Sequence, residues 1–106
     1  MDITYQGVFN ALSFHAAKTA GEVAEEIAAA HDIPYKDKYL RQSYPFLHQL
    51  VAEGFASDRE RQLSLEQLEK RGGRPSYEYL LTQDGMRKRA EVPEGGLEGV
   101  LVPEPI

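Results

Sequence analysis

Apolar residues recur along the first half of the chain with the period of an α-helix, and along part of the second half with the period of a β-strand. Tyr5, Val8, Phe9, Leu12 and Ala16 fall at i, i+3, i+4, i+7 and i+11, which predicts a first helix over about residues 3–16. Val23, Ile27 and Ala30 form a second stripe that runs to about His31. Its start is marked by Thr19-Ala-Gly-Glu22, a capping box in which the hydroxyl takes an orphan amide and the carboxylate reaches back to the cap. Asp32-Ile33-Pro34 breaks the pattern. A third stripe over about 37–53 holds Leu40, Tyr44, Leu47 and Val51, with Leu50 beside it. This places Tyr44 on the core side, its hydroxyl at the rim. Pro45 lacks an amide hydrogen and crowds the preceding turn, so a kink or a fresh start is expected there, with Ser43 as the new cap. Gly54 suits the left-handed position that ends a helix, and Phe55 then falls back onto the core.

The period changes after residue 54. Phe55–Arg61 reads as one strand. Tyr77, Tyr79 and Leu81 alternate with Glu78, Leu80 and Thr82 as another. Between them, Ser64-Leu-Glu-Gln67 has the form of a second capping box and Gly72 that of a helix stop, which allows a short helix within 62–71. The same stretch also reads as a strand continued through Leu63 and Leu65. Thr82 caps a last helix over about 83–91. Residues 92–106 are rich in proline and glycine and read as an irregular acidic tail, in which Gly99-Val-Leu-Val102 could add a short strand. The expected organisation is α+β, mainly α: a helical domain with a hairpin over 1–91, then the tail. A helix-turn-helix followed by a hairpin is the winged-helix arrangement.

Composition narrows the chemistry. The chain of 106 residues is enough for one core, and its 42% hydrophobic and 27% charged content is that of an ordinary globular domain. It contains no cysteine, which excludes disulfides, thiolate metal sites and cysteine nucleophiles and suits a cytoplasmic setting. Its first residues lack the basic region of a signal peptide, and no apolar run approaches the roughly 20 residues that span a bilayer. The net charge of −5 hides a strong asymmetry. Residues 1–35 carry one base against five acids, 36–89 eleven bases against eight acids, and 90–106 four acids and no base. The middle is therefore locally positive, and binding follows the local field rather than the total.

Two stretches in that middle carry a resemblance. SYPFLHQLVAEGFA (43–56) resembles the recognition-helix region of the PadR family of winged-helix transcriptional regulators, through Tyr44-Pro45, Leu47, Leu50, Glu53, Gly54 and Phe55. GRPSYEYLLTQDG (73–85) resembles the wing of that family, with Gly-Arg-Pro, an aromatic strand and then Leu-Thr-x-x-Gly. The similarity covers roughly residues 3–90. The chain departs from the family in lacking long C-terminal helices for dimerisation, and in a longer segment before the wing tip.

The resemblance implies a sequence-specific regulator of double-stranded DNA, a repressor that acts by occlusion. It further implies a homodimer on an inverted repeat, with half-sites about one helical turn apart. Lys36, Lys38, Arg41, Gln42, Ser43, Tyr44, His48 and Gln49 would then face the major groove, with Arg41 suited to guanine, Gln42 to adenine and the lysines to phosphates. Lys70, Arg71 and Arg74 around Gly72-Gly73 would meet the flanking backbone or a narrow minor groove. Arg59 and Arg61 alternate with Asp58 and Glu60 and read as surface pairs. His15, His31 and His48 have no ligand spacing, Glu25-Glu26 reads as a solvated helix face, and no nucleophile motif or phosphate loop is present. No cofactor, metal, membrane or enzymatic activity is expected, and no small-molecule effector is indicated. The alternative is a protein-interaction module that does not read DNA. It is suggested by the low pI and by Val100-Leu101-Val102 in the tail, which could add as a strand to a partner.

Overall fold

Eight elements follow one another in the chain. They are α1 (Tyr5–Ala11), β1 (Lys18–Thr19), α2 (Ala20–Ala30), α3 (Asp37–Ala52), β2 (Ala56–Glu60), α4 (Leu65–Lys70), β3 (Tyr77–Leu81) and α5 (Gln83–Glu91). The computed structural model describes residues 1–91; the expected tail and its short strand lie outside the described residues. The organisation is α+β and mainly helical, with a three-stranded antiparallel sheet in the order β1-β3-β2.

Capping sets most of the helix ends. Thr19 and Glu22 complete the capping box of α2, and Ser64 and Gln67 complete that of α4. The stretch 62–71 therefore takes the helical of its two readings. Three helices end the same way. Gly54 at φ +83° ends α3, and Phe55 N–H donates to the Leu50 carbonyl at 2.9 Å. Gly72 at φ +67° ends α4, with Gly73 N–H on Leu68. Asp32 at φ +59° ends α2, with Ile33 N–H on Ala28. Each is the left-handed cap that returns an amide to an orphan carbonyl.

The first helix is shorter than its periodicity predicts. It stops at Ala11, and Ala16 is exposed rather than part of the core face. Ser13 provides the reason. Its hydroxyl accepts amides from His15 and Ala16, and its carbonyl accepts Leu81 N–H at 2.9 Å, so the backbone has better partners than a further helical turn. Ala30, assigned to the second apolar stripe, is likewise exposed; Ala20, Val23, Ala24, Ile27 and Ala28 form the buried face of α2.

The third helix corrects two expectations. It runs unbroken through Pro45, with no restart at residue 43. Its buried face is Tyr39, Ser43, Leu47 and Leu50, so Tyr44 lies outside the core and is 42% exposed. Ser43 is fully buried, and its hydroxyl donates to the Tyr39 carbonyl at 2.8 Å instead of capping a new helix. The core joins this face to Val8, Phe9 and Leu12, to Val23 and Ile27, and to Ala56, Tyr79 and Leu81 from the sheet. Phe55 stacks on Phe9 with ring centroids 5.9 Å apart.

The family-like motifs meet at one point. Thr82 Oγ donates to the Gly54 carbonyl at 2.7 Å, Thr82 N–H donates to Phe55, and the same hydroxyl accepts Gly85 N–H at 3.0 Å. Thr82 thus caps α5 and holds it against the turn that leaves α3. A side chain at Gly85 would collide with the Phe55 carbonyl. Leu-Thr-x-x-Gly and Glu-Gly-Phe are two halves of one contact.

Candidate nucleic-acid interface

The β2–β3 hairpin is fixed to the helices by a charged network. Arg59 lies opposite Glu78 in the register of the two strands, and its Nε donates to Glu78 Oε2. Arg61 Nε donates to the other Glu78 oxygen at 2.6 Å, while its terminal nitrogens grip Glu22 at 3.0 and 3.1 Å. This corrects the expected pairing with Asp58 and Glu60. Neighbours along a strand point to opposite faces, so each arginine finds its acid across the sheet. The Arg61 and Arg59 guanidinium groups hold the Glu78 carboxyl below its ordinary pKa, and Arg61 does the same to Glu22. The two-residue strand β1 pairs Lys18 and Thr19 with Tyr79 and Glu78, which closes the sheet against the start of α2.

The ion pairs divide the bases into two groups. Lys18 meets Glu26, Arg87 meets Asp84 and Lys88 meets Glu91, in addition to Arg59 and Arg61 above. Arg89 reaches back to α1, donating to the carbonyls of Phe9 at 2.9 Å and Leu12 at 2.7 Å. Six bases remain. Lys36, Lys38, Arg41, Lys70, Arg71 and Arg74 have no carboxylate partner among the described residues, and all six are exposed. They occupy two places: the start of α3, and the end of α4 with the glycine turn that follows.

On α3, Lys38, Arg41, Tyr44 and His48 are exposed at helical spacing, a stripe of about 15 Å. The Tyr44 and His48 rings lie 6.1 Å apart. Gln49 is exposed at the far end, and its amide nitrogen makes a long 3.4 Å contact with Glu53. The other two expected contact residues are turned inward. Ser43 is buried and cannot reach a ligand. The Gln42 amide is committed to the N-terminal segment: its Oε1 accepts Ile3 N–H at 3.1 Å and its Nε2 donates to Asp2.

A groove of about 210 Å³ lies between α3 and the turn that follows α4. Leu40 and Tyr44 of α3, Thr19–Gly21 at the start of α2, and Arg71, Pro75 and Tyr77 line it. Tyr79 lies within the same groove, and burial pushes its phenol up. Lys70 and Arg71 also line a second groove, of about 320 Å³, between α4 and the hairpin. Lys36, Lys38, Arg41, His48, Gln49 and Arg74 border neither groove. Tyr77, which is half exposed, belongs to this face although the alternation of its strand marked it only as a sheet residue. Six exposed bases without an acidic partner among the described residues, and a groove that brings Arg71 to the exposed Tyr44 and Tyr77, suit a polyanion with planar groups. No group of His, Asp and Glu among the described residues could hold a metal ion, and no described helix is long and apolar enough to cross a membrane. No family model, curated protein or solved structure matches the chain.

Proposed function

We propose that the chain is a winged-helix protein similar to the PadR family, which binds double-stranded DNA in a sequence-specific way and represses transcription by occlusion. The observation that carries the reading is the division of the bases. Five pair with nearby acids and Arg89 is held by backbone carbonyls at the end of α1, while the six predicted to face DNA have no acidic partner among the described residues, Arg71 and Arg74 bonding only to carbonyls of their own turn. In this reading α3 lies in the major groove and presents Arg41, Tyr44 and His48, while Lys36 and Lys38 meet phosphates. The turn at 71–74 meets the flanking duplex. Two copies on an inverted repeat would block polymerase.

One feature favours a second reading, a protein-interaction module. Leu65 on α4 is 81% exposed, and no residue of that helix is buried. Fluorescence anisotropy separates the two. The protein is titrated onto a duplex from the region preceding its own coding sequence and onto a scrambled duplex, across a salt series. The DNA reading expects preference for the first duplex and affinity that falls linearly in log salt. Absence of binding to both duplexes at low salt rejects it in favour of a protein partner.

A further inference from the structure

We propose that Arg71 and Arg74 divide the work of the hairpin turn: Arg71 is a positioning residue that fixes the turn, and Arg74 is the residue it presents to a narrow minor groove. This inference rests on the DNA reading above and adds a specificity for the flanking sequence to it.

The geometry of the turn separates two arginines that look equivalent in the sequence. Gly72 and Gly73 both have positive φ, +67° and +80°, so the chain reverses within two residues. Arg71 folds back across that reversal. Its Nε donates to the Arg74 carbonyl at 3.1 Å and its Nη2 to the Pro75 carbonyl at 2.9 Å. One edge of its guanidinium therefore spans two successive carbonyls on the returning chain, a use of the planar fork that a lysine cannot reproduce. Arg74 returns only one such bond, from Nε to the Arg71 carbonyl at 2.9 Å, which its own backbone amide also approaches at 3.3 Å.

The donors left over differ accordingly. A guanidinium has five N–H groups. Both terminal nitrogens of Arg74 lack a hydrogen-bond partner among the described residues, and the Nε bond to the Arg71 carbonyl ties the group to the turn. Such an edge matches paired acceptors such as the base-edge oxygens and nitrogens on the floor of a minor groove, whose negative potential rises as the groove narrows at A-tracts. Arg71 is fixed at the rim, where it also lines the groove shared with Tyr44 and Tyr77. Moving Arg71 would leave the charge of Arg74 in place but release its direction.

The test uses the full chain and a duplex selected by the wild-type protein from a pool with a randomised core. Two versions are made with the same core, one flanked by A-tracts and one by G·C-rich sequence. Affinity is measured on both across a salt series for wild type, Arg71→Lys, Arg71→Ala, Arg74→Lys and Arg74→Ala. Wild type is expected to prefer the A-tract flank by roughly tenfold, within the range of a single discriminating contact. Arg74→Ala should abolish the preference and lower the salt slope by about one. Arg71→Lys should keep the wild-type salt slope yet lose most of the preference, and Arg71→Ala should lose the preference with a smaller change in slope than Arg74→Ala.

The division of labour is overturned if Arg71→Lys behaves as wild type on both duplexes, or if Arg74→Ala leaves the flank preference intact. Those results leave the DNA reading standing. A wild-type protein that selects no duplex from the pool removes the DNA reading and this inference with it.

Discussion

Arg61 and Glu22 are 39 residues apart in the chain and meet edge to edge, with Nη2 on Oε1 at 3.0 Å and Nη1 on Oε2 at 3.1 Å. The same guanidinium donates through Nε to Glu78. Glu22 is at once the carboxylate of the α2 capping box and the partner of a hairpin arginine. One side chain therefore ties the start of α2 to the β2–β3 hairpin.

Replacing Arg61 with alanine removes these bonds and leaves two carboxylates facing each other across the gap. The expected loss is about 2 kcal/mol of unfolding free energy, in the range for hydrogen bonds to charged groups. Urea denaturation followed by circular dichroism measures it. A loss within the scatter of neutral surface substitutions would show the network to be decorative.

The same network sets the acid stability. Arg61 holds the Glu22 carboxyl below its ordinary pKa, and Arg61 with Arg59 does so for Glu78. The folded state then binds protons less readily than the unfolded chain. Its stabilisation is fully present above the unfolded value of about 4.3 and is lost as pH falls through the lower folded values. Urea midpoints measured from neutral to strongly acidic pH should fall below about pH 5. Glu22→Gln should flatten part of that fall. Tyr5 gives the opposite signature at the alkaline end. Burial, then its bond to Glu53, pushes its phenol up to about 12, so its contribution holds below pH 10 and is lost as pH rises toward 12.

Gly85 packs α5 closely against the turn that leaves α3. A Cβ there would enter the Phe55 carbonyl oxygen and come within 2.9 Å of Leu81 Cδ1. A backbone oxygen cannot step aside as a flexible side chain can. Gly85→Ala should cost about 3 kcal/mol through forced displacement of α5, despite the better helix propensity of alanine. A thermal melt that shows no destabilisation would mean that α5 docks less closely than this.

Much of this fold was legible because capping chemistry is local. Thr19 with Glu22, Ser64 with Gln67, and Gly54 each act within a few residues, and the structure forms all of them. What was not legible depends on contacts between distant segments. The strand β1 is two residues long and has no periodicity; it exists because Tyr79 and Glu78 are there to pair with it. Ser13 ends α1 in part through Leu81, 68 residues away. On α3 the face was misjudged by a rotation of one position. Tyr44 is the more apolar of two neighbours, yet Ser43 is the one buried, because its hydroxyl can be satisfied by the carbonyl one turn earlier. The six bases without an acidic partner among the described residues stood out as clusters in the sequence. That Gln42 is turned away from their face follows only from Ile3 and Asp2 lying beside it.

Asp32 ends α2 at φ +59°, a conformation that glycine adopts without the clash of a Cβ. The flanking bonds, Asp32 N–H to Ala29 and Ile33 N–H to Ala28, do not use its side chain. Asp32→Gly should raise stability by about 0.5 kcal/mol, the relief of strain exceeding the added entropy of the unfolded chain. A urea midpoint that moves down instead would show that the carboxylate contributes more than its backbone angle costs.

Arg41 and Gln42 are adjacent on α3 and should respond to alanine in opposite ways. Arg41 is exposed and has no acidic partner among the described residues, so its loss should leave the fold intact. Under the DNA reading, it should weaken binding by about 1–3 kcal/mol and relax the preference at one base pair. Gln42 holds the backbone amide of the buried Ile3 and the carboxylate of Asp2. Its loss should cost about 1 kcal/mol of stability by leaving that amide unsatisfied, with base preference unchanged. Measuring stability and base preference on both variants separates the two roles. If Gln42→Ala instead alters base preference without loss of stability, the amide must leave the N-terminal segment and turn to the DNA on binding. The N-terminal residues would then rearrange with the recognition event, and Ile3 N–H would exchange faster in the complex than in the free protein.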